Sequence, residues 1–289
     1  MTCVLVTGAG GQLGQALQAE CPADVNLVAL TAAQLDITDA EAVIRALEVH
    51  RPEAVINAAA YTAVDRAEQE PERAEAINGQ GVAHLAAACD RIGARLLQVS
   101  TDFVFDGNRG RPCRPDDPTV PLNAYGRSKL AGERAAAAMD PEQYLIMRTA
   151  WLYAPGGQNF VTTMLRLMSE RDRLAVVCDQ FGTPTSARGL ARALWRALER
   201  RLQGVHHWTD AGVASWYDFA VAIHELGRAQ GLLTRNVRID PIPASDYPTP
   251  ATRPGFAVLE KNQTWAALDI PPQHWRSALD EALAQWPRS

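Results

Sequence analysis

Tyr125 and Lys129 stand four residues apart in Ala124-Tyr125-Gly126-Arg127-Ser128-Lys129, a spacing that puts both on one face of a helix. A phenol beside an ammonium is a proton-transfer pair. The positive charge favours phenolate and would lower the tyrosine from its ordinary pKa of about 10, easing proton transfer at neutral pH. Surface helix pairs with this spacing are common, so the pair takes its meaning from its company. That company is Ser100-Thr101, which closes the apolar run Arg95-Leu96-Leu97-Gln98-Val99. At a strand end Thr101, or as second choice Ser100, would hold a substrate oxygen while Tyr125 gives it a proton. The chemistry is reduction of a carbonyl, and it needs a hydride from elsewhere.

The elements that position these residues also supply the hydride site. Behind Cys3-Val4-Leu5-Val6 comes Gly8-x-x-Gly11-x-x-Gly14, leading into a helical stretch. Gly8 would make the tight turn out of the strand, Gly11 would let a pyrophosphate lie on backbone N–H groups at a helix start, and Gly14 would let helix and sheet approach. Strands are expected at 27–30, 54–57, 95–100 and 144–149, with helices to about 49 and over 75–92 between them. This alternation implies an α/β fold, a Rossmann-like doubly wound parallel sheet. Ala58, Ala59 and Ala60 leave room at the strand ends for a ribose and nicotinamide, or simply for packing. Thr31 occupies the position after the second strand where an acid would select NAD. Asp36 reads equally as a cofactor contact or a turn acid, and Thr38-Asp39-Ala40-Glu41 as a capping box.

Further on, strands are expected at 174–177 and 205–209, and helices from Asn159-Phe160 to about 171, to about 201, from Ser215 to about 230, and over 275–286. The proline-rich stretch 240–254 has little periodicity and suits loops over the sheet. The division expected is a dinucleotide-binding domain at 1–154, with 184–230 returning to it, and a smaller C-terminal substrate-binding lobe at 155–183 and 231–289.

Composition narrows the partners. A formal net charge of -5 favours neither nucleic acid nor an anionic membrane surface. Five scattered cysteines without a C-x-x-C read as reduced thiols. No apolar run is long enough to cross a membrane and no signal-peptide pattern precedes Val4, so the expectation is a cytoplasmic protein. Lys129 and Lys261 are the only lysines in the chain. His206 and His207, adjacent in a strand, point to opposite faces and make no metal site by themselves.

Taken together the motifs resemble the extended short-chain dehydrogenase/reductases. The likeness rests on Thr7-Gly-Ala-Gly-Gly-Gln-Leu-Gly14, Leu35-Asp-Ile-Thr-Asp39, Asn57-Ala-Ala-Ala-Tyr-Thr-Ala-Val-Asp65, Ser100-Thr-Asp-Phe-Val-Phe-Asp-Gly107 and Tyr125-Gly-Arg-Ser-Lys129. Arg148-Thr-Ala-Trp151, Asn159-Phe160, Gly182-Thr-Pro-Thr-Ser186 and Ala251-Thr-Arg-Pro254 extend it over nearly the whole chain. The resemblance implies NADPH or NADH held by Gly8, Gly11, Gln12, Leu13, Gly14, Thr31, Asp36, Ile37, Ala58, Ala59, Ala60, Thr62, Tyr125 and Lys129. It implies a dTDP-4-keto-6-deoxy-L-sugar substrate, dTDP-4-dehydro-L-rhamnose, reduced at C4 among Val64, Asp65, Ser100, Thr101, Trp151 and Asn159. The catalytic set would be Thr101, Tyr125 and Lys129.

Three positions depart from the pattern. Thr31 replaces the usual acid, and Ala32 offers no arginine to a 2'-phosphate. Ala16 stands where some relatives place a glutamate that helps build a magnesium-linked dimer, so no metal is expected and a homodimer would form without one. Gly255-Phe256-Ala257-Val258 replaces a more polar pair near the pocket. Competing readings are a 4-ketoreductase for another nucleotide deoxysugar, an epimerase, a dehydratase, and a non-catalytic dinucleotide-binding regulatory subunit. A dehydratase needs a second acid where Phe103 follows Asp102, and the intact Thr101, Tyr125 and Lys129 speak against a non-catalytic role.

Overall fold

The computed structural model describes residues 2–287; the outer limits of the expected division, 1 and 288–289, lie outside the described residues. The first half alternates as its apolar runs imply, through β1 (Thr2–Thr7), α1 (Gln12–Ala19), β2 (Val25–Leu30), α2 (Ala40–His50), β3 (Ala54–Asn57), α3 (Val64–Ala67), α4 (Pro71–Glu75), α5 (Gly81–Ile92), β4 (Arg95–Thr101), α6 (Ala124–Ala136) and β5 (Tyr144–Thr149). The second half holds β6 (Leu152–Tyr153), α7 (Phe160–Glu170), β7 (Arg173–Val177), β8 (Phe181–Gly182), β9 (Thr185–Ser186), α8 (Ala187–Glu199), β10 (Gly204–His207), β11 (Ala214–Ser215), α9 (Trp216–Ala229), β12 (Arg238–Ile242), α10 (Asn262–Leu268) and α11 (Trp275–Ala284).

Six strands form one parallel sheet in the order β10-β5-β4-β3-β1-β2. The order reverses beside β1, and the crevice outside the carboxyl ends there is where such sheets take ligands. Alternate residues of β1 feed two cores. Val4 and Val6 pack with Leu17, Leu194 and Trp195 under α1 and α8, while Leu5 packs with Val43, Leu47 and Leu85 under α2 and α5.

Several elements differ from the sequence expectation. The helix expected over 75–92 is broken by a π-helical turn at Ala76–Gln80 between α4 and α5. The cap of α2 is Asp39, whose carboxylate accepts from Ala42 N, so the Thr38/Glu41 box does not form. Residues 240–242 are strand and not loop, because β12 pairs in parallel with β7. Within 184–230, α8 packs on α1, whereas Phe219, Ala220 and Ile223 of α9 share a third core with Val161 and Met164 of α7 and Leu279 of α11. Conversely Trp265 and Leu268 of α10 pack with the α1/α8 core. The apolar stripe of α9 thus meets α7 and α11, and that of α10 meets α1 and α8. No helix among the described residues is long and apolar enough to cross a membrane.

Candidate active site

The carboxyl ends of β1, β3, β4 and β5 open on one cleft of about 650 Å³. Its dinucleotide side begins at the glycine turn. Gly8 has φ +66°, and a Cβ there would come within 2.6 Å of Ala59 N, so the turn can approach β3 only as glycine. Gly14 is similarly tight, since its Cβ would lie 2.3 Å from Gly8 O. Gly11 is the N-cap of α1 and brings no side chain to its first turn. Those N–H groups and the positive end of the helix dipole open on the cleft with Gly10, Gln12 and Leu13, a cradle that fits a pyrophosphate. Gln12 closes it from above: its Oε1 accepts from Ala154 N at 3.0 Å and Asn159 Nδ2 at 2.7 Å.

Across the floor runs a ladder of buried polar side chains. Thr7 donates to Asn57, Asn57 Nδ2 to Gln98 Oε1 at 2.7 Å, and Gln98 Nε2 to Val99 O at 2.7 Å. Lys129 Nζ donates to the same Val99 carbonyl at 2.7 Å. Lys129 is only 3% exposed, and burial brings its pKa down to about 8 against the opposing pull of Glu133. The next turn of α6 carries that Glu133, which takes both arms of Arg148 on β5, Nε to Oε1 at 2.8 Å and Nη2 to Oε2 at 2.7 Å. Both side chains are buried. Lys261, the other lysine, is also buried, 7% exposed, with Nζ near Thr183 Oγ1.

Tyr125 sits in the first turn of α6, which Asn123 caps by accepting from Gly126 N. The expectation that Lys129 lowers the Tyr125 pKa is not met. Burial pushes Tyr125 up to about 12; the Thr101 hydroxyl beside it pulls partly back, and the charge of Asp102 adds to the rise. The ammonium is committed to Val99 O, and desolvation of the phenol dominates. Thr101 Oγ1 donates to Asp102 Oδ1 at 2.9 Å. Burial lifts Asp102 to about 7. Ser100 Oγ, Asp102 Oδ2 and Thr149 Oγ1, on residues lining the cleft, are buried without a hydrogen-bond partner.

Of the residues expected to hold cofactor, Gly11, Gln12, Leu13, Ala58, Ala59, Ala60, Thr62, Tyr125 and Lys129 line this cleft. Gly8, Gly14, Thr31, Asp36 and Ile37 are not among its lining residues. Asp36 takes the turn role, accepting from Thr38 N and Oγ1, which holds its carboxyl below the usual range. Thr31 donates through N and Oγ1 to Gln34 Oε1. Of the substrate set, Val64, Ser100, Thr101, Trp151 and Asn159 line the cleft. Asn159 is largely committed to capping α7 and bonding Gln12. Asp65 faces an adjoining hollow and binds Arg253, which itself lines the cleft. Among the described residues no group of three or more His, Cys, Asp or Glu is placed to hold a metal ion.

This geometry has close counterparts. The sequence matches the RmlD substrate binding domain family over residues 1–287. A dTDP-4-dehydrorhamnose reductase of Burkholderia thailandensis is 44% identical over 287 residues, 96% of each chain. The chain belongs to the dTDP-4-dehydrorhamnose reductase family. Among solved members, the Clostridium acetobutylicum reductase superposes with a TM-score of 0.92 at 40% identity, covering 98% of this chain and 99% of that one. The Bacillus anthracis reductase, solved in complex with NADP, gives 0.91 at 34% identity over 99% and 100%.

Three residues at or behind the cleft of this reductase-family chain have no local signal in the sequence that assigns their place. Asn78, in the π-helical turn, accepts from Tyr61 N and donates to Tyr61 O and Ser128 Oγ, tying the loop after β3 to α6. Its own carbonyl lies so close to α6 that a Cβ on Gly132 would meet it at 2.1 Å. Arg253 is legible only as part of a motif. Trp216 reads as the aromatic first turn of a helix, and no local signal places it at the cleft.

Proposed function

We propose that the chain reduces the C4 ketone of dTDP-4-dehydro-β-L-rhamnose to dTDP-β-L-rhamnose, taking hydride from NADPH or NADH. The observation that carries this reading is the convergence of Thr101, Tyr125 and Lys129 on the floor of a cleft whose other end is the uncapped start of α1. Bound NADPH or NADH supplies the hydride. The first turn of α1 would hold the pyrophosphate, and the small side chains of Ala58, Ala59 and Ala60 would leave the strand ends open for the ribose and nicotinamide. Lys129, anchored on Val99 O, keeps a second donor direction for that ribose.

Tyr125 is the general acid. A phenol held near 12 is protonated throughout the neutral range, the state a proton donor must start from. As hydride reaches C4, negative charge grows on the ketone oxygen; the Tyr125 O–H stabilises that charge and then transfers its proton. Thr101 positions the oxygen. Trp151 and Val64 would bound the sugar, and Arg253, a cleft-lining cation paired with Asp65, would meet a sugar diphosphate by exchanging that partner.

Purified chain supplied with dTDP-4-dehydro-β-L-rhamnose should consume NADPH or NADH and yield the rhamnose nucleotide, with EDTA leaving turnover in place. Equal turnover of an isomeric 4-keto sugar lacking the L configuration would remove the sugar assignment. No turnover of either sugar would remove the reaction.

A further inference from the structure

Four non-glycine residues among those described have positive φ. Arg51, Arg201 and Asp269 end or follow helices α2, α8 and α10, where such a turn is ordinary. Trp151, φ +48°, ends no helix; it is the second residue past β5 and lines the cleft. A bulky residue keeps this backbone only when its surroundings over-determine it. Those surroundings are explicit. The Trp151 indole lies flat on that of Trp216, centroids 3.5 Å apart and planes 7° from parallel. A Cβ on Gly182 would come within 2.6 to 2.9 Å of three Trp151 ring atoms, so only glycine fits beside the indole without a shift. The Trp151 carbonyl accepts from Thr185 N at 3.1 Å.

Trp216 is itself fixed. It is the first residue of α9, whose start is locked by a reciprocal capping box between Ser215 and Asp218. Phe160 of α7 leans on it at 4.7 Å. The stacked pair therefore joins the end of a sheet strand to the lobe helices, at the wall of the cleft that both tryptophans line. A stack serving stability alone needs neither a left-handed backbone nor a place at the cleft.

We propose that Trp216 and Gly182 are positioning residues that clamp the Trp151 indole at the sugar end of the cleft and so set affinity for the sugar nucleotide, not for the dinucleotide. This rests on the reductase reading above. Within Gly182-Thr-Pro-Thr185 the glycine backs the indole, and Thr185 N holds its carbonyl.

Two indoles stacked face to face at this distance couple excitonically, and any in-plane rotation between their transition moments gives a paired positive and negative band in far-ultraviolet circular dichroism. Trp216→Ala should abolish the couplet and raise KM for the sugar nucleotide about 3- to 10-fold, the range of one lost aromatic pair. kcat should change less, and KM for NADPH should not follow. Trp216→Phe should also lose the couplet but show a smaller rise in sugar KM, because a ring still covers Trp151. Gly182→Ala should weaken the couplet and raise sugar KM with both tryptophans present. An active wild type whose Trp216→Ala variant keeps its sugar KM overturns the proposal alone, as does an equal rise in both KM values. A wild type inactive on the sugar overturns the reductase reading and this inference with it.

Discussion

On the floor of the cleft Lys129, Glu133 and Ser128 are each held by a partner inside the protein, whereas at the rim the corresponding contact lies near the surface. Lys129 is fixed by Val99 O, Glu133 by Arg148, and Ser128 by Asn78. Both members of the Glu133–Arg148 pair have side chains only 5% exposed. At the rim, Arg253 grips Asp65 with two arms, yet their side chains are 21% and 41% exposed. Charges paired out of water cannot rearrange cheaply, while half-exposed ones can exchange partners with water or a ligand. On the proposed reading the contrast would separate two roles, the floor fixing proton transfer in place and the rim adapting to what enters. Floor substitutions should therefore appear in kcat or stability, and rim substitutions in KM.

The severest test is Tyr125→Phe, which should lose about 10² to 10⁴ in kcat with little change in NADPH binding. Near-normal turnover would move the acid off the floor. The wild-type pH profile sharpens the same point. Lys129 loses its proton as pH rises through about 8, while Tyr125 keeps its own to about 12, so kcat/KM should fall above about pH 8. An alkaline limb beyond pH 10 would assign the titration to Tyr125.

Next in size is Glu133→Gln, which leaves the Arg148 guanidinium buried without its counter-charge. Urea unfolding should show a loss of about 3 to 5 kcal/mol, mostly recovered when Arg148→Met is added. A loss under about 1 kcal/mol would mean that the floor is held no more firmly than the rim. Arg253→Met should cost stability only about 0 to 1 kcal/mol, as expected of a partly exposed pair, but raise sugar KM about tenfold. A fall in kcat with unchanged KM would erase the distinction between the two regions.

The smallest effect concerns cofactor choice. With neither an acid nor an arginine at Thr31 and Ala32, the NADPH and NADH values of kcat/KM should lie within about 30-fold, or 2 kcal/mol. Thr31→Asp should move that ratio toward NADH about fivefold by meeting a 2'-phosphate with like charge. A wild-type preference above about 1000-fold would mean that a residue distant in sequence decides the choice.

What is legible in the sequence follows from how local its cause is. The glycine turn, the ends of β3 and β5, and the Ser215 cap are set by neighbours within a few residues, and periodicity or capping chemistry exposes them. The π-helical turn is as local, but Ala-Ile-Asn-Gly-Gln is compatible with an unbroken helix; what separates them is the fit of Asn78 against Gly132, a contact between helices. Parallel pairing of β7 with β12 and the Arg253–Asp65 bond join segments far apart in sequence, and no spacing rule reaches them. The Tyr125 acidity departs from its expected direction for a related reason. Spacing puts Lys129 on the correct face, but the carbonyl that claims its ammonium belongs to β4.

The burial of Lys129 and Lys261 reaches beyond the site. A chain whose only two lysines are 3% and 7% exposed presents almost no lysine amine at its outer surface to acylating reagents, amine cross-linkers or ester-activated resins while it is folded, Lys129 facing only the cleft. Lys261 becomes available only when the interior opens, whereas Lys129 can also be reached from the cleft. Covalent labelling of Lys261 would then count unfolding events, and side-chain immobilisation or tagging of the native protein would favour its carboxylates, guanidinium groups or thiols over its lysines.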